Sequence, residues 1–295
     1  MERIYRKIQK LGGSLVVSLP KKWTENYNLN KESSVAMDMN SDGSLSITPK
    51  LTHPKEDIDE LILESNPYVV KEVVKNILSG QTYIVVVSDN EINKSLRNQI
   101  RYWVNGLPNT EITEETNQRI VIENFGYKKI PTGKLIKRLL YLIADMFDDV
   151  KNESYNDLDY AFDQLRKFYF ILVMHIRAYL RTGVYVTEDN DFTPLEAMDY
   201  RIFCGKIQEI GKILKRLRLS PQVKPFFNEI HQYFEEVMDA YLKNDSKLSY
   251  YVWLKKYNLI EKANDILSTL DIREHDKIRS LIGIAERCKD MAGLI

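Results

Sequence analysis

The sequence predicts a multidomain α+β protein: short strands first, then a small α/β module, then an all-helical bundle. Three observations carry this expectation. Residues 1–50 hold short apolar stretches broken by Gly and Pro, and residues 51–130 mix helical spacing with continuously apolar runs. Residues 131–295 carry apolar side chains at helical spacing almost throughout. These three stretches are the expected domains.

In the first domain, residues 3–9 alternate, with Ile4, Arg6 and Ile8 on one face and Arg3, Tyr5, Lys7 and Gln9 on the other. Gly12-Gly13 breaks that strand. Residues 14–19 form a second, largely apolar strand stopped by Pro20, which suits the start of a short helix over 21–27. Residues 35–39 and 45–48 flank Ser41-Asp42-Gly43, a hairpin signal because Asp-Gly accepts the turn. Fifty residues of short strands make a small core, and an obligate dimer would supply what is missing.

In the second domain, 61–63 is a brief apolar run and 66–78 has helical spacing ended by Gly80. Residues 83–87 are continuously apolar, as a strand buried on both faces requires. Residues 91–104 are helical again up to Asn105-Gly106, and 111–113 with 119–122 read as two short strands. In the third domain, Pro131 and Thr132 precede six periodic runs, over 135–150, 157–180, 194–217, 221–242, 246–270 and 273–294. Gly183, Ser220-Pro221 and Asn244-Asp245 fall where helix stops are expected. Short connections predict an up-and-down six-helix bundle, arranged as two three-helix repeats because the third and sixth runs carry related patterns.

Charge and composition narrow the function. At 44% hydrophobic and 28% charged, the chain has the make-up of a globular protein and excludes disorder. Its 42 basic and 42 acidic residues cancel. The balance hides an asymmetry: residues 1–30 hold six cations (Arg3, Arg6, Lys7, Lys10, Lys21, Lys22) against Glu2 and Glu25, a net of +4. Cys204 and Cys288 have no CxxC spacing, so reduced intracellular thiols are expected. The first residues lack the apolar core of a signal peptide. The most apolar run, 168–174, stops at His175 and Arg177, far short of the ~20 residues of a membrane span. A cytoplasmic protein without membrane insertion is expected. His53, His175, His231 and His275 form no ligand pair, and no P-loop, GxGxxG, GxSxG or HExxH occurs. No enzymatic activity and no catalytic residue are expected.

Residues 6–23, reading Arg-Lys-Ile-Gln-Lys-Leu-Gly-Gly-Ser-Leu-Val-Val-Ser-Leu-Pro-Lys-Lys-Trp, resemble the SpoVT/AbrB family of DNA-binding domains, and 29–50 resemble its second half. That resemblance implies a swapped-hairpin β-barrel homodimer that lays basic strand and loop residues on DNA. The last helix reads Glu286-Arg-Cys-Lys-Asp290-Met-Ala-Gly-Leu-Ile295, similar to a motif of PhoU proteins, regulators of phosphate transport built from two three-helix repeats. Residues 207–213 resemble the equivalent helix of the first repeat, with Gln208 and Lys212 in place of its two carboxylates. Asp159 and Asp163 fall at what looks like the acidic position of the second helix. The combination resembles the archaeal phosphate uptake regulators.

Two candidate sites follow. Arg3, Arg6, Lys7, Lys10, Ser14, Lys21 and Lys22 are the expected contacts to double-stranded DNA, since a β surface can enter a groove and each neutralised phosphate releases counterions. Arg3 and Arg6 are the candidates for reading guanine edges. Asp159 with Asp163, and Glu286 with Asp290, are four apart on helices and could each offer two carboxylates to one divalent metal ion. Here each repeat keeps only one such pair, and Lys212 opposes a multinuclear cluster. The bland reading of these acids, and of the basic third helix (Lys206, Lys212, Lys215, Arg216, Arg218), is solvated or mutually paired charge. The expected function is a DNA-binding transcriptional regulator of phosphate uptake, homodimeric through its N-terminal domain, whose bundle senses or relays phosphate status. The alternative is a signalling adaptor that docks on a phosphate transporter or its kinase and uses the head only to dimerise. A toxin-neutralising role is opposed by the large bundle.

Overall fold

The computed structural model describes residues 5–39, 44–49, 59–126, 130–182 and 192–295. The chain forms two compact units, Met1–Asp57 and Ile58–Ile295. The α/β stretch and the helices after it, read from sequence as separate domains, share one hydrophobic core.

In the first unit, β1 (Gln9–Leu11) and β2 (Ser14–Val16) pair antiparallel, Lys10 opposite Leu15. Gly12 turns the chain at φ +61°, a value that favours glycine. Residues 5–8, expected in the first strand, lie outside it. Continuing the register would set 6–8 against 17–19, beyond the end of β2, and Tyr5 against Pro20, which has no N–H to give a ladder. Arg3 and Ile4 lie outside the described residues. α1 (Lys21–Asn26) starts after Pro20, whose carbonyl accepts from the amides of Trp23 and Thr24. β3 (Val35–Met39) pairs antiparallel with β4 (Leu45–Pro49); the expected Ser41-Asp42-Gly43 turn lies outside the described residues. Two separate two-stranded sheets result, and the described residues close no barrel.

The second unit opens with a four-stranded sheet in the order β5 (Glu60–Glu64), β6 (Tyr83–Val87), β8 (Arg119–Asn124), β7 (Thr110–Glu115). β5 runs parallel to β6 and the other pairings are antiparallel. Ile84, Val86, Ile120 and Ile122 are fully buried and join Val69, Val73 and Ile77 of α2 (Val69–Leu78) and Leu96, Ile100 and Val104 of α3 (Lys94–Asn105). Four-residue spacing puts each helical trio on one stripe. On the opposite sheet face Arg119 bridges Glu114 at 3.4 Å and Glu60 at 4.0 Å. Val85 is nevertheless fully buried, so β6 is covered on both faces as its apolar run requires.

Six helices follow: α4 (Thr132–Lys151), α5 (Leu158–Thr182), α6 (Pro194–Arg216), α7 (Lys224–Lys243), α8 (Ser246–Thr269) and, after a single 3₁₀ turn at Ile272–Glu274, α9 (His275–Ala292). Their starts are chemically marked. Thr193 and Glu196 form a reciprocal capping box around Pro194, and the Asp245 carboxylate accepts from the amides of Lys247 and Leu248. α4, α5 and α6 all touch one another, α7, α8 and α9 do the same, and α4–α7 with α6–α9 join the two trios. The core is aromatic, with Phe147 stacked on Phe234 at 4.8 Å. Gly211 lets α5 approach α6, because a Cβ there would collide with Leu165. No helix among the described residues is long and apolar enough to cross a membrane.

α5 also joins the bundle to the sheet layer through three arginines. The Arg166 guanidinium lies 4.8 Å from the Tyr102 ring centroid and 5.8 Å from that of Trp103, at the end of α3. Arg177 donates to the Ser79 hydroxyl at 2.9 Å, and Arg181 donates to the Ser79 carbonyl, at the end of α2. Cations at helix C-termini satisfy orphan carbonyls and oppose the dipole.

Candidate nucleic-acid interface

The described cations of the first unit are all exposed. Arg6 and Lys7 precede β1, Lys10 lies within it, Ser14 opens β2, and Lys21 and Lys22 open α1. Lys21 pairs with Glu25 at 3.6 Å, both side chains mostly in solvent, so the pair holds the ammonium weakly. Lys22 also has a partner.

Around these cations the described residues build no interior. None of the unit's residues whose burial is described is buried. In the β3–β4 hairpin the register sets Val35 opposite Pro49 and Met37 opposite Ile47, so one face is apolar, with Met37 63% and Leu45 61% exposed. Leu11 and Leu15 of the first hairpin are 72% and 73% exposed. Apolar area of this kind, left in water, favours association.

The expected carboxylate pairs have other partners. Asp159 accepts a hydrogen bond from Lys215 of α6 at 2.8 Å; that bond and the ammonium charge hold its carboxyl below the usual range. Asp163 lies 3.2 Å from Arg166 on its own helix. Partial burial raises the Asp290 pKa, but hydrogen bonds and charges from Lys206, at 2.9 Å, and Lys289, at 3.4 Å, outweigh it and hold the carboxyl low. Glu286 is exposed one turn earlier. Lys206 and Lys215 are nine residues apart on α6, about 13 Å along its axis, so Asp290 meets that helix near its middle and Asp159 near its C-terminal end. Among the described residues no three His, Cys, Asp or Glu side chains are placed to hold a metal ion. The arrangement is that of helix-to-helix ion pairing. Arg287 of α9 with Glu209 of α6, at 2.8 Å, continues it with the signs reversed.

Cys204 and Cys288 are fully buried, and burial pushes both thiols far above their ordinary range, so neither offers a thiolate. Sequence reasoning missed the arginines that dock α5 on α2 and α3. The signal was faint: Arg166, Arg177 and Arg181 recur at helical spacing on a helix that is otherwise apolar there, and Gly80 and Gly106 end the two helices they reach. Set beside protein-family models, curated proteins and solved structures, the chain matches none of them.

Proposed function

We propose that the chain is a DNA-binding transcriptional regulator of phosphate uptake that works as a homodimer through its N-terminal unit. One observation carries the reading: no residue of the first unit whose burial is described is buried, and the same unit carries both an apolar hairpin face and the exposed cations Arg6, Lys7, Lys10 and Lys21. A second copy covering Met37, Leu45 and Leu11 would supply the interior, and closure of the two heads into one swapped-hairpin barrel fits the SpoVT/AbrB resemblance. Twofold symmetry doubles the cations and presents them to a duplex as one surface. The phosphate half of the reading rests on the PhoU-like motifs, and it is supported by their placement on α6 and α9, which pack together across the two helical trios. The bundle would then relay phosphate status to the head.

The adaptor reading has one observation behind it. Tyr250, Tyr251, Leu254 and Tyr257 form an exposed stripe on α8, a surface suited to a protein partner such as a phosphate transporter or its kinase.

Fluorescence anisotropy of duplex DNA against the full chain at increasing salt tests the proposal. We expect steep salt dependence. A variant carrying Arg6→Gln, Lys7→Gln and Lys10→Gln removes six cations per dimer and should flatten the slope of log K against log salt by up to about 5, at roughly 0.9 per phosphate contact. Unchanged binding by the variant would place the DNA contacts elsewhere. No binding by the parent chain would leave the adaptor.

A further inference from the structure

A cleft of about 400 Å³ opens at one end of the helical bundle, where α4 and α6 begin and α7 ends. Its size falls in the range of small-molecule sites and is far too small for a macromolecule. The floor is aromatic: Phe203 of α6 is fully buried and stacks on Tyr241 of α7 at 4.0 Å and 21°. Leu294 adds an aliphatic wall. The polar lining carries both signs. Lys137 stands one turn beyond Gly133 on α4, while Glu196 and Asp199 stand three apart on α6, a helix that packs against α4.

Three charges further along α6 are already taken. Lys206, Glu209 and Lys215 each pair with an opposite charge on a neighbouring helix. Lys137 and Asp199 line the cleft, and neither makes a salt bridge among the described residues. Glu196 is committed to its capping box through the Thr193 amide and hydroxyl, which leaves Asp199 as the carboxylate for a ligand. A purely anionic ligand would meet Asp199 and Glu196, and a purely cationic one would meet Lys137. A molecule bearing both charges and an apolar body meets a complement at each end.

We infer that this cleft binds a small zwitterion, an α-amino acid with an aromatic or aliphatic side chain, its carboxylate toward Lys137, its ammonium toward Asp199 and its side chain on the Phe203–Tyr241 floor. The inference stands apart from the DNA-binding reading, since every lining residue belongs to the second unit.

Isothermal titration calorimetry of the full chain with L-phenylalanine, L-leucine, phenethylamine and 3-phenylpropionate tests it. One amino acid or both should give saturable binding. The two analogues, each lacking one charge, should bind about tenfold or more weakly, the usual scale for losing one charged hydrogen bond. Lys137→Met should bind phenethylamine as well as it binds L-phenylalanine, and Asp199→Asn should do the same for 3-phenylpropionate. Gly133→Leu supplies a steric block: a Cβ there meets nothing within 4 Å, and leucine favours a helix more than glycine does. That variant should keep the parent's circular dichroism and lose the ligand. Failure of both L-phenylalanine and L-leucine to saturate at millimolar concentration would overturn the proposal. So would equal affinity for the two analogues and the amino acid, or binding that survives in folded Gly133→Leu.

Discussion

Arg166 on α5 and Gly106 at the end of α3 hold one another's place. A Cβ on Gly106 would stand 2.5 Å from the guanidinium of Arg166, inside any tolerated contact. The guanidinium has little freedom to yield, because Arg166 is 4% exposed, pairs with Asp163 and lies over the rings of Tyr102 and Trp103. The glycine is there for space, since its φ of −85° is open to any residue.

Gly106→Ala should therefore destabilise the chain by about 1–3 kcal/mol, the range for overpacking a rigid contact. In an Arg166→Ala background the same substitution should cost less than about 0.5 kcal/mol, because the added methyl no longer has a guanidinium to meet and alanine restrains the unfolded chain. Urea unfolding of the four proteins in the cycle measures the coupling. Additive losses would mean that Gly106 is needed for another reason.

At the other junction Gly80 adopts φ +95°, and a Cβ there would lie 2.9 Å from Arg181. Arg177 and Arg181 place two cations at the C-terminus of α2. Replacing both by Met removes donors from the last turn and should cost about 1–2 kcal/mol locally. Amide exchange should accelerate across Val69–Leu78 while α7 keeps its protection. Uniform acceleration over both helices would show that the arginines support the whole unit.

His231 gives a pH prediction. It is 8% exposed and stacks on Phe147 at 4.7 Å and 5°. Burial lowers its pKa, more than the nearby carboxylates of Glu235 and Asp148 raise it, and Lys151 adds to the lowering. The unfolded chain thus takes up a proton near pH 6.5 that the folded chain refuses. The contribution of His231 to stability is complete above that value and is lost as pH falls toward the lower folded pKa. Urea midpoints should decline from about pH 7.5 to 5.5, and His231→Phe, which keeps a ring against Phe147, should flatten the decline. A slope of the same size in the variant would assign the titration to another group.

Where apolar pattern alone decides, the chain was legible. The 83–87 run is β6 to the residue, and the six periodic stretches after Pro131 became α4 to α9 with ends displaced by a few residues. Strand pairing was less legible: residues 5–8 alternate as a strand should, but a ladder needs a partner and β2 stops at Val16. Spacing placed Asp159 and Asp163 on one helix side, yet it could not show that Lys215 and Lys206 of α6 would reach Asp159 and Asp290. Contacts between distant segments leave no period in the sequence. The Lys137–Asp199 cleft, built from three helices, is of the same kind.

The last prediction concerns the apolar face of the head. In the β3–β4 hairpin, Val35 and Met37 share a face with Leu45, Ile47 and Pro49, and no residue of that unit whose burial is described is buried. If a second copy covers that face, a charge placed there must be desolvated on association, which costs several kcal/mol without a partner. Met37→Glu in the full chain should shift sedimentation from dimer to monomer at micromolar concentration and weaken DNA binding with it, since the cations of one head alone offer half the contacts. Lys10→Gln should weaken DNA binding and leave the dimer intact, because Lys10 is exposed and carries no apolar contact surface of that size. A dimer that survives Met37→Glu would move the interface off this hairpin, and loss of the dimer in Lys10→Gln would merge the two surfaces that the proposal keeps apart.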